Sequence, residues 1–356
     1  MEGKLSIIRN LFLSRIKNIP YKLNLAVTFQ CTSRCRTCNI WKKYRDNHEL
    51  KKDELVLSEI DTLFKKLPST MTWLSLTGGD PFLRPDLPQI IKSASENIPS
   101  LQILSIPSNG LLKERILSVV DEMMGYNLPN IFITLSLDGP PEIHDNIRGV
   151  NGSFQKAWDT YKEIKKLTAG NRKFHVGLET TLSRWNIDHI KHFLLGMDGN
   201  STTITVAHNA YLYDNQEDFE ISPRYHISHT AEVIEILNDH LSFSHPNELI
   251  EKIYLQSIPA YLNNKSRQVI PCVALKASLA VNAYGDVTPC FMWGERLGNV
   301  RDCGYDIMSI WKSKEAELAK SSIKENKCVN CWTPCEAYQS IIWHPLRAFA
   351  SYCREL

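Results

Sequence analysis

Three cysteines stand within eight residues, Cys31-Thr32-Ser33-Arg34-Cys35-Arg36-Thr37-Cys38, at the spacing C-x3-C-x2-C. Three thiolates on one short loop can converge on a soft metal centre. A [4Fe–4S] cluster has four irons, so three protein ligands leave one iron open to a further ligand. The competing chemistry is structural zinc, whose thiolates usually come in C-x2-C pairs. A second cysteine system lies far downstream. Cys272 is followed by twelve residues, Gly285, four residues and Cys290, and then by Cys328-Val329-Asn330-Cys331 and Cys335. Leu279 to Cys290 reads as a hairpin turning at Gly285-Asp286, which returns Cys290 towards Cys272. A hairpin pair plus a C-x2-C pair is a strong metal-site pattern. Cys303 and Cys353 read as ordinary buried cysteines.

The elements that must position these thiols are strands alternating with helices. The first cysteine loop follows the strand-like run Leu23–Phe29. A buried strand, Thr72–Thr77, runs into Gly78-Gly79-Asp80-Pro81, where glycines let backbone approach a neighbour closely. The next strand, Leu101–Ile106, ends in Ser108-Asn109-Gly110. Asn130–Leu137 carries Ser136 and Asp138 at its end. Phe174–Leu182 offers Glu179 or Thr181, and Ser201–Asn209 offers His208 or Asn209. Six strands between Tyr21 and about Ala210, with helices between them, imply a parallel sheet with ligands at the strands' C-terminal ends. Six units rather than eight leave the barrel partial and open on one side.

Taken together these motifs resemble the radical S-adenosylmethionine (radical SAM) superfamily. In that family the open iron binds the amino and carboxylate groups of SAM, and the reduced cluster yields a 5′-deoxyadenosyl radical that abstracts hydrogen. The resemblance assigns Cys31, Cys35 and Cys38 as ligands of the SAM-binding cluster. It places Gly78, Gly79 and Asp80 at the SAM amine, with Asp80 standing where the family usually has Glu. Ser108 and Asn109 fall at the ribose or carboxylate, and Ser136 and Asp138 near SAM and substrate. Thr37 departs from the aromatic residue usual before the third cysteine, and Trp41 is the nearest ring. His144-Asp145-Asn146-Ile147-Arg148-Gly149 through Phe154 is similar to a segment of the subgroup with auxiliary clusters. There Arg148 suits the SAM carboxylate, and His144 and Asp145 suit a local cap. The C-x12-G-x4-C element resembles SPASM and the shorter twitch extensions. The tail C-x2-C-x3-C implies a twitch-like domain with one auxiliary [4Fe–4S] cluster. Cys272, Cys290, Cys328 and Cys331 are its ligands, and Cys335 competes for one place.

The implied layout is an α/β chain, a partial (β/α)6 TIM-type barrel with a small C-terminal α+β domain. Its parts are an N-terminal amphipathic helix (1–20), the barrel (21–210), a helical linker or lid (211–268; Arg224–His240 and Pro246–Asn263) and the auxiliary-cluster domain (269–356). The implied activity is that of a radical SAM oxidoreductase or related modifying enzyme, with the auxiliary cluster relaying electrons. The reaction is dehydrogenation, epimerisation, or peptide or small-molecule modification. No residue is assigned as acid, base or hydrogen donor. The alternative is a non-catalytic Fe–S or zinc-binding scaffold.

With 356 residues the chain can bury a large core. A net charge of +2 gives no polyanion-binding field, so no nucleic-acid partner is expected. Ten cysteines without a secretory signal suit a reducing cytoplasm. A reductase, flavodoxin or ferredoxin is the implied electron donor. The substrate is a small molecule, a lipid-linked molecule or a peptide, and no separate peptide-recognition domain is evident at the N-terminus. Leu5–Lys17 reads as a basic amphipathic helix, packed on the barrel's open end, making peripheral membrane contact, or holding a greasy substrate or partner.

Overall fold

A computed structural model describes residues 2–197, 202–216, 220–239, 246–263 and 268–355. Six parallel strands form the barrel wall: β1 (Lys22–Thr28), β2 (Trp73–Gly78), β3 (Ile103–Ser108), β4 (Asn130–Ser136), β5 (Phe174–Leu182) and β6 (Thr202–Val206). Three more follow: β7 (Ser278–Val281), β8 (Asp286–Thr288) and β9 (Gly298–Asn299). All nine belong to one sheet, in the order β6-β5-β4-β3-β2-β1-β7-β8-β9. This is a partial TIM-type barrel with a C-terminal extension. Ser201 and His240, expected at the ends of the last barrel strand and of the first lid helix, lie outside the described residues.

Period-two patterning sets the two faces of the wall. In β4 the buried Ile131, Ile133 and Leu135 alternate with the partly accessible Phe132, Thr134 and Ser136. The buried set meets helices whose apolar residues recur at helical spacing. Helix Leu87–Asn97 contributes Ile90, Ile91 and Ala94, and helix Lys113–Met124 contributes Ile116, Val119, Val120 and Met123. The other face lines the barrel interior and carries the polar set Thr134, Ser136, Glu179 and Thr181.

The extension is fused to the wall rather than tethered to it. β7 lies parallel to β1, with Lys22 opposite Ser278 and Leu25 opposite Val281. The hairpin β7–β8 then turns at Gly285, whose φ of +87° suits glycine. Between β6 and β7 lie a short 3-10 turn (Arg224–His226) and helices Ile227–Asp239 and Pro246–Asn263.

The N-terminal helix runs from Glu2 to Lys17. It does pack on the barrel, but beneath the N-terminal ends of the strands. Asn10 Nδ2 donates to Thr72 Oγ1 (3.0 Å), one residue before β2, and Leu11 packs with Tyr21, Val273 and Ala277.

Candidate active site and its two cysteine clusters

The first cysteine loop has no regular structure of its own, so its shape is imposed by neighbours. The amides of Arg34 and Arg36 donate to the carbonyls of Arg148 and Ile147 (both 2.8 Å), and Asn39 N donates to Tyr213 O (2.7 Å). Asn215 Nδ2 closes on Thr37 O (2.8 Å). Upstream, Glu54 accepts from Phe29 N (2.8 Å), Thr28 Oγ1 (2.8 Å) and Tyr44 Oη (2.5 Å). Arg84 donates to Val27 O (2.6 Å) and Leu55 O (2.7 Å). Sequence reading missed Glu54, Arg84, Tyr213 and Asn215, since each acts across a long separation.

The Gly-Gly turn permits a backbone contact within the chain. A Cβ on Gly78 would stand 2.0 Å from Thr28 O, and one on Gly79 would stand 2.0 Å from Gln30 O. Gly79 N and Asp80 N instead donate to those two carbonyls (2.8 and 2.7 Å), extending the β1–β2 ladder to the edge of the cysteine loop. Asp80 differs from expectation. It is fully buried, and its carboxylate accepts from Phe82 N (3.0 Å), Ser108 Oγ (2.9 Å) and Asn109 N (3.1 Å). With these bonds made it ties β2 to β3. Ser108 is likewise buried. Asn109 reaches the loop itself, its Nδ2 lying 2.9 Å from Thr32 Oγ1, 3.0 Å from Ser33 Oγ and 3.8 Å from Cys31 Sγ.

Asp138 is also turned inward. It is 1 % exposed, pairs with Arg148 (Nε to Oδ2, 2.6 Å) and accepts from Thr181 N (3.0 Å). Arg148 Nη1 lies 3.8 Å from Cys35 Sγ. The expected Arg148–ligand contact therefore has competition from Asp138 within the chain. His144 accepts from Asp138 N (3.0 Å), and Asp145 accepts from Phe154 N and Ser153 Oγ (both 2.8 Å), capping the helix Ser153–Leu167. Both are local structural devices. Trp41 stacks under Arg45 (4.8 Å) rather than on the thiols. Cys31 and Cys38 pack instead against a cluster containing Phe29, Ile40 and Tyr44, with Tyr213 beside them.

The second group forms around one pocket, lined by Cys272, Cys290, Cys328 and Cys331 with Gln268, Trp332 and Glu336 among their neighbours. Cys335 is not in that lining. It is exposed, and its carbonyl accepts from Lys22 Nζ (2.7 Å). Asn330, inside the C-x2-C turn, adopts φ +47°, a left-handed conformation that asparagine tolerates. His208 or Asn209 is the residue expected to meet substrate at the end of β6, and His208 does not present itself there. Instead it is buried, accepts from Trp332 N (3.3 Å) and buttresses this pocket. Glu336, buried behind the thiols, accepts from Ser278 Oγ (2.7 Å) and Asn24 Nδ2 (3.4 Å). Cys303 is half-buried and Cys353 exposed, so neither is the fully buried thiol expected.

All ten cysteines are free thiols. Tetrahedral zinc with Zn–S near 2.3 Å needs sulfurs about 3.8 Å apart. Among the described residues, however, only Asp188, His226 and His229 bring three potential ligand atoms within 4.8 Å of one another. No three of the thiols therefore stand at the spacing of a preformed single-ion site among the described residues. Burial pushes the Cys31 thiol up to about 12, and the thiols of Cys35, Cys38, Cys272 and Cys290 also rise. Such thiols become thiolates beside the positive charge of bound iron. Tyr213 packs against the same apolar cluster as Cys31 and Cys38. Burial chiefly raises its pKa, followed by the charges of Cys335, Cys38, Glu179 and Cys331.

A partial barrel with a three-thiol loop after β1 and a thiol-lined pocket beside β7 defines an Fe–S enzyme with two metal regions. Residues 25–196 match the model of the radical SAM superfamily, and residues 272–332 match SPASM, an iron–sulfur cluster-binding domain. The chain belongs to the radical SAM superfamily and carries a SPASM domain, and its cofactors are a [4Fe–4S] cluster, SAM and auxiliary Fe–S. It is 37% identical over 93 residues to a probable GTP 3′,8-cyclase of Archaeoglobus fulgidus, covering 26% of this chain and 29% of that one. It is 26% identical over 175 residues to the sporulation killing factor maturation protein SkfB of Bacillus subtilis, covering 48% and 38%. The matches span only 29–41% of such curated relatives. The fold is similar to anSMEcpe with bound AdoMet, at TM-score 0.57, 14% identity, 94% of this chain and 100% of that one. It is also similar to Streptococcus suis SuiB, at TM-score 0.58, 13% identity, 86% and 69%.

Proposed function

We propose that the protein is a radical SAM oxidoreductase that removes hydrogen from a substrate held in the barrel interior and passes the second electron to an auxiliary cluster. The observation that carries this reading is the pairing of β1, which leads into the loop of Cys31, Cys35 and Cys38, with β7, which stands between Cys272 and Cys290 in the chain. Cys31, Cys35 and Cys38 would hold the SAM-binding cluster. Cys272, Cys290, Cys328 and Cys331 would hold one auxiliary [4Fe–4S] cluster, leaving Cys335 out. Bound and reduced, the first cluster and SAM supply a 5′-deoxyadenosyl radical, and the second supplies an electron path.

The chain's own residues orient and enclose. Asn109 fixes the loop, and Arg148 offers positive charge beside Cys35. Ser136 faces the interior from β4, and the Gly78–Gly79 backbone lies at the loop's edge. Asp80, Ser108 and Asp138 are positioning residues. The proposed division is an N-terminal helix (1–20), the barrel (21–210), a helical linker or lid (211–268) and the auxiliary-cluster domain (269–356). A peptide is the favoured substrate class. Solved relatives include anSMEcpe with AdoMet and Cp18Cys peptide (TM-score 0.55) and SuiB with precursor peptide SuiA (TM-score 0.57). A flavodoxin-, ferredoxin- or reductase-type donor would supply electrons, and ten free thiols suit a reducing cytoplasm.

The test is iron content and reductive SAM cleavage of the anaerobically reconstituted protein. About eight irons are expected, falling by about four in Cys31→Ala/Cys35→Ala/Cys38→Ala with loss of cleavage, and by about four in Cys272→Ala/Cys290→Ala/Cys328→Ala/Cys331→Ala. A zinc-loaded, iron-free protein would leave the scaffold reading standing.

A further inference from the structure

The N-terminal helix turns Leu11 to the domain but leaves a second apolar row outside. An amphipathic helix on a globular domain ordinarily turns its apolar stripe to the core. Here the buried positions are Asn10 (1 % exposed) and Ser14 (fully buried), held by Thr72 and by Ile19 O (2.5 Å). Leu5, Ile8, Phe12 and Ile16 point outward, each 63–65 % exposed. Their spacing of three, four and four residues puts them in one row along the helix.

A second helix adds to the same end of the molecule. Helix Pro345–Glu355 exposes Leu346 (86 %) and Phe349 (56 %) near its start. That start is tied to the first helix by Arg15, whose Nη2 donates to Trp343 O (3.0 Å) and whose guanidinium lies 5.3 Å over the Trp343 ring. Cations flank the apolar rows. Arg9, Arg15 and Lys17 are exposed on the first helix, and Arg15, Lys276 and Arg347 all act on His344.

We propose that these two helices dock the protein on the surface of an anionic lipid bilayer. Exposed apolar rows rimmed by cations match a boundary that offers acyl chains below and negative head groups beside them. A second copy of the chain fits less well, because a two-fold pairing of these faces would bring the cations Arg9, Arg15 and Lys17 of one copy against the same set of cations on the other. The contact is peripheral, since no helix among the described residues is long and apolar enough to cross a membrane. It engages the end of the barrel where the strands begin. The cysteine loop after β1 opens at the opposite end, so docking leaves the catalytic mouth facing water.

The test is flotation of the reconstituted holoenzyme with vesicles of phosphatidylcholine alone or mixed with phosphatidylglycerol. Binding is expected to the mixed vesicles, weakened by salt and absent from the neutral ones. Ile8→Glu/Phe12→Glu should abolish it, and Arg9→Gln/Lys17→Gln should weaken it about fivefold per residue. Iron content and SAM cleavage should stay unchanged in both variants. Equal binding to neutral vesicles, undiminished binding in Ile8→Glu/Phe12→Glu, or no binding at all would overturn the proposal. So would a dimer, seen by sedimentation without lipid, that Ile8→Glu/Phe12→Glu dissociates.

Discussion

Arg148 grips Asp138 with two hydrogen bonds, Nε to Oδ2 at 2.6 Å and Nη2 to Oδ1 at 3.0 Å, while its third nitrogen lies 3.8 Å from the Cys35 sulfur. One guanidinium therefore joins the end of β4 to the cysteine loop. Asp138 is 1 % exposed and cannot turn to water for compensation.

Removing that guanidinium strands a buried carboxylate. Arg148→Ala should cost about 3–5 kcal/mol, as breaking a buried pair does. Arg148→Lys should cost less but lose the two-pronged geometry. Denaturant unfolding of the reconstituted protein would check the order wild type, Lys, Ala. Iron retained per chain should fall in the same order.

Asp80 separates positioning from ligand contact. Its pKa is raised by burial and opposed by three donors. Asp80→Asn puts an amide donor where donors already point, at a cost of about 1–3 kcal/mol. Stability and cluster loading should drop, while the apparent affinity for SAM, titrated on the fully loaded fraction, should stay near wild type. A selective loss of SAM affinity at full loading would return Asp80 to the ligand shell.

The glycine turn should tolerate no side chain. Gly79→Ala places a methyl 2.0 Å from Gln30 O, a backbone atom that can yield only by moving the cysteine loop. The expected outcome is loss of about four irons with the auxiliary site still loaded. Gly196→Ala is the control, because its Cβ would meet nothing closer than Phe193 O at 3.5 Å.

Glu251 should make stability fall as pH rises. Burial raises its pKa from 4.5 to about 7; the Tyr338 hydroxyl opposes the shift and the Glu179 charge adds to it. The folded protein then binds this proton more tightly than the unfolded chain, so the contribution is complete below 4.5 and lost as pH climbs through about 7. Glu251→Gln should flatten that part of the profile, measured as the difference in unfolding free energy between variant and wild type across the window.

The parts legible in the sequence were those written in local spacing. C-x3-C-x2-C, the hairpin between Cys272 and Cys290, and the six strands all stand in short windows, and the Cβ-intolerant glycines at 78 and 79 do too. What escaped was set by partners distant along the chain. Asp80, Asp138 and His208 carry groups that often face ligands, and the fold buries all three and gives each a partner within the chain. Glu54 and Arg84 carried no motif, because the carbonyls and amides they serve belong to every sequence. The parallel pairing of β7 with β1 was equally hidden, since a hairpin's neighbour is not written in its turn.

That pairing also constrains biosynthesis. β1 is the first barrel strand to leave the ribosome, yet one of its edges stays unpaired until residues 278–281 have emerged. Asn39 likewise waits for Tyr213. The loop bearing Cys31, Cys35 and Cys38 therefore reaches its final shape only after most of the chain has been made. Contacts of such long sequence separation form late. The cradle for the first cluster is thus completed late in synthesis, and a nascent chain halted short of β7 would carry the three thiols on an unfinished one.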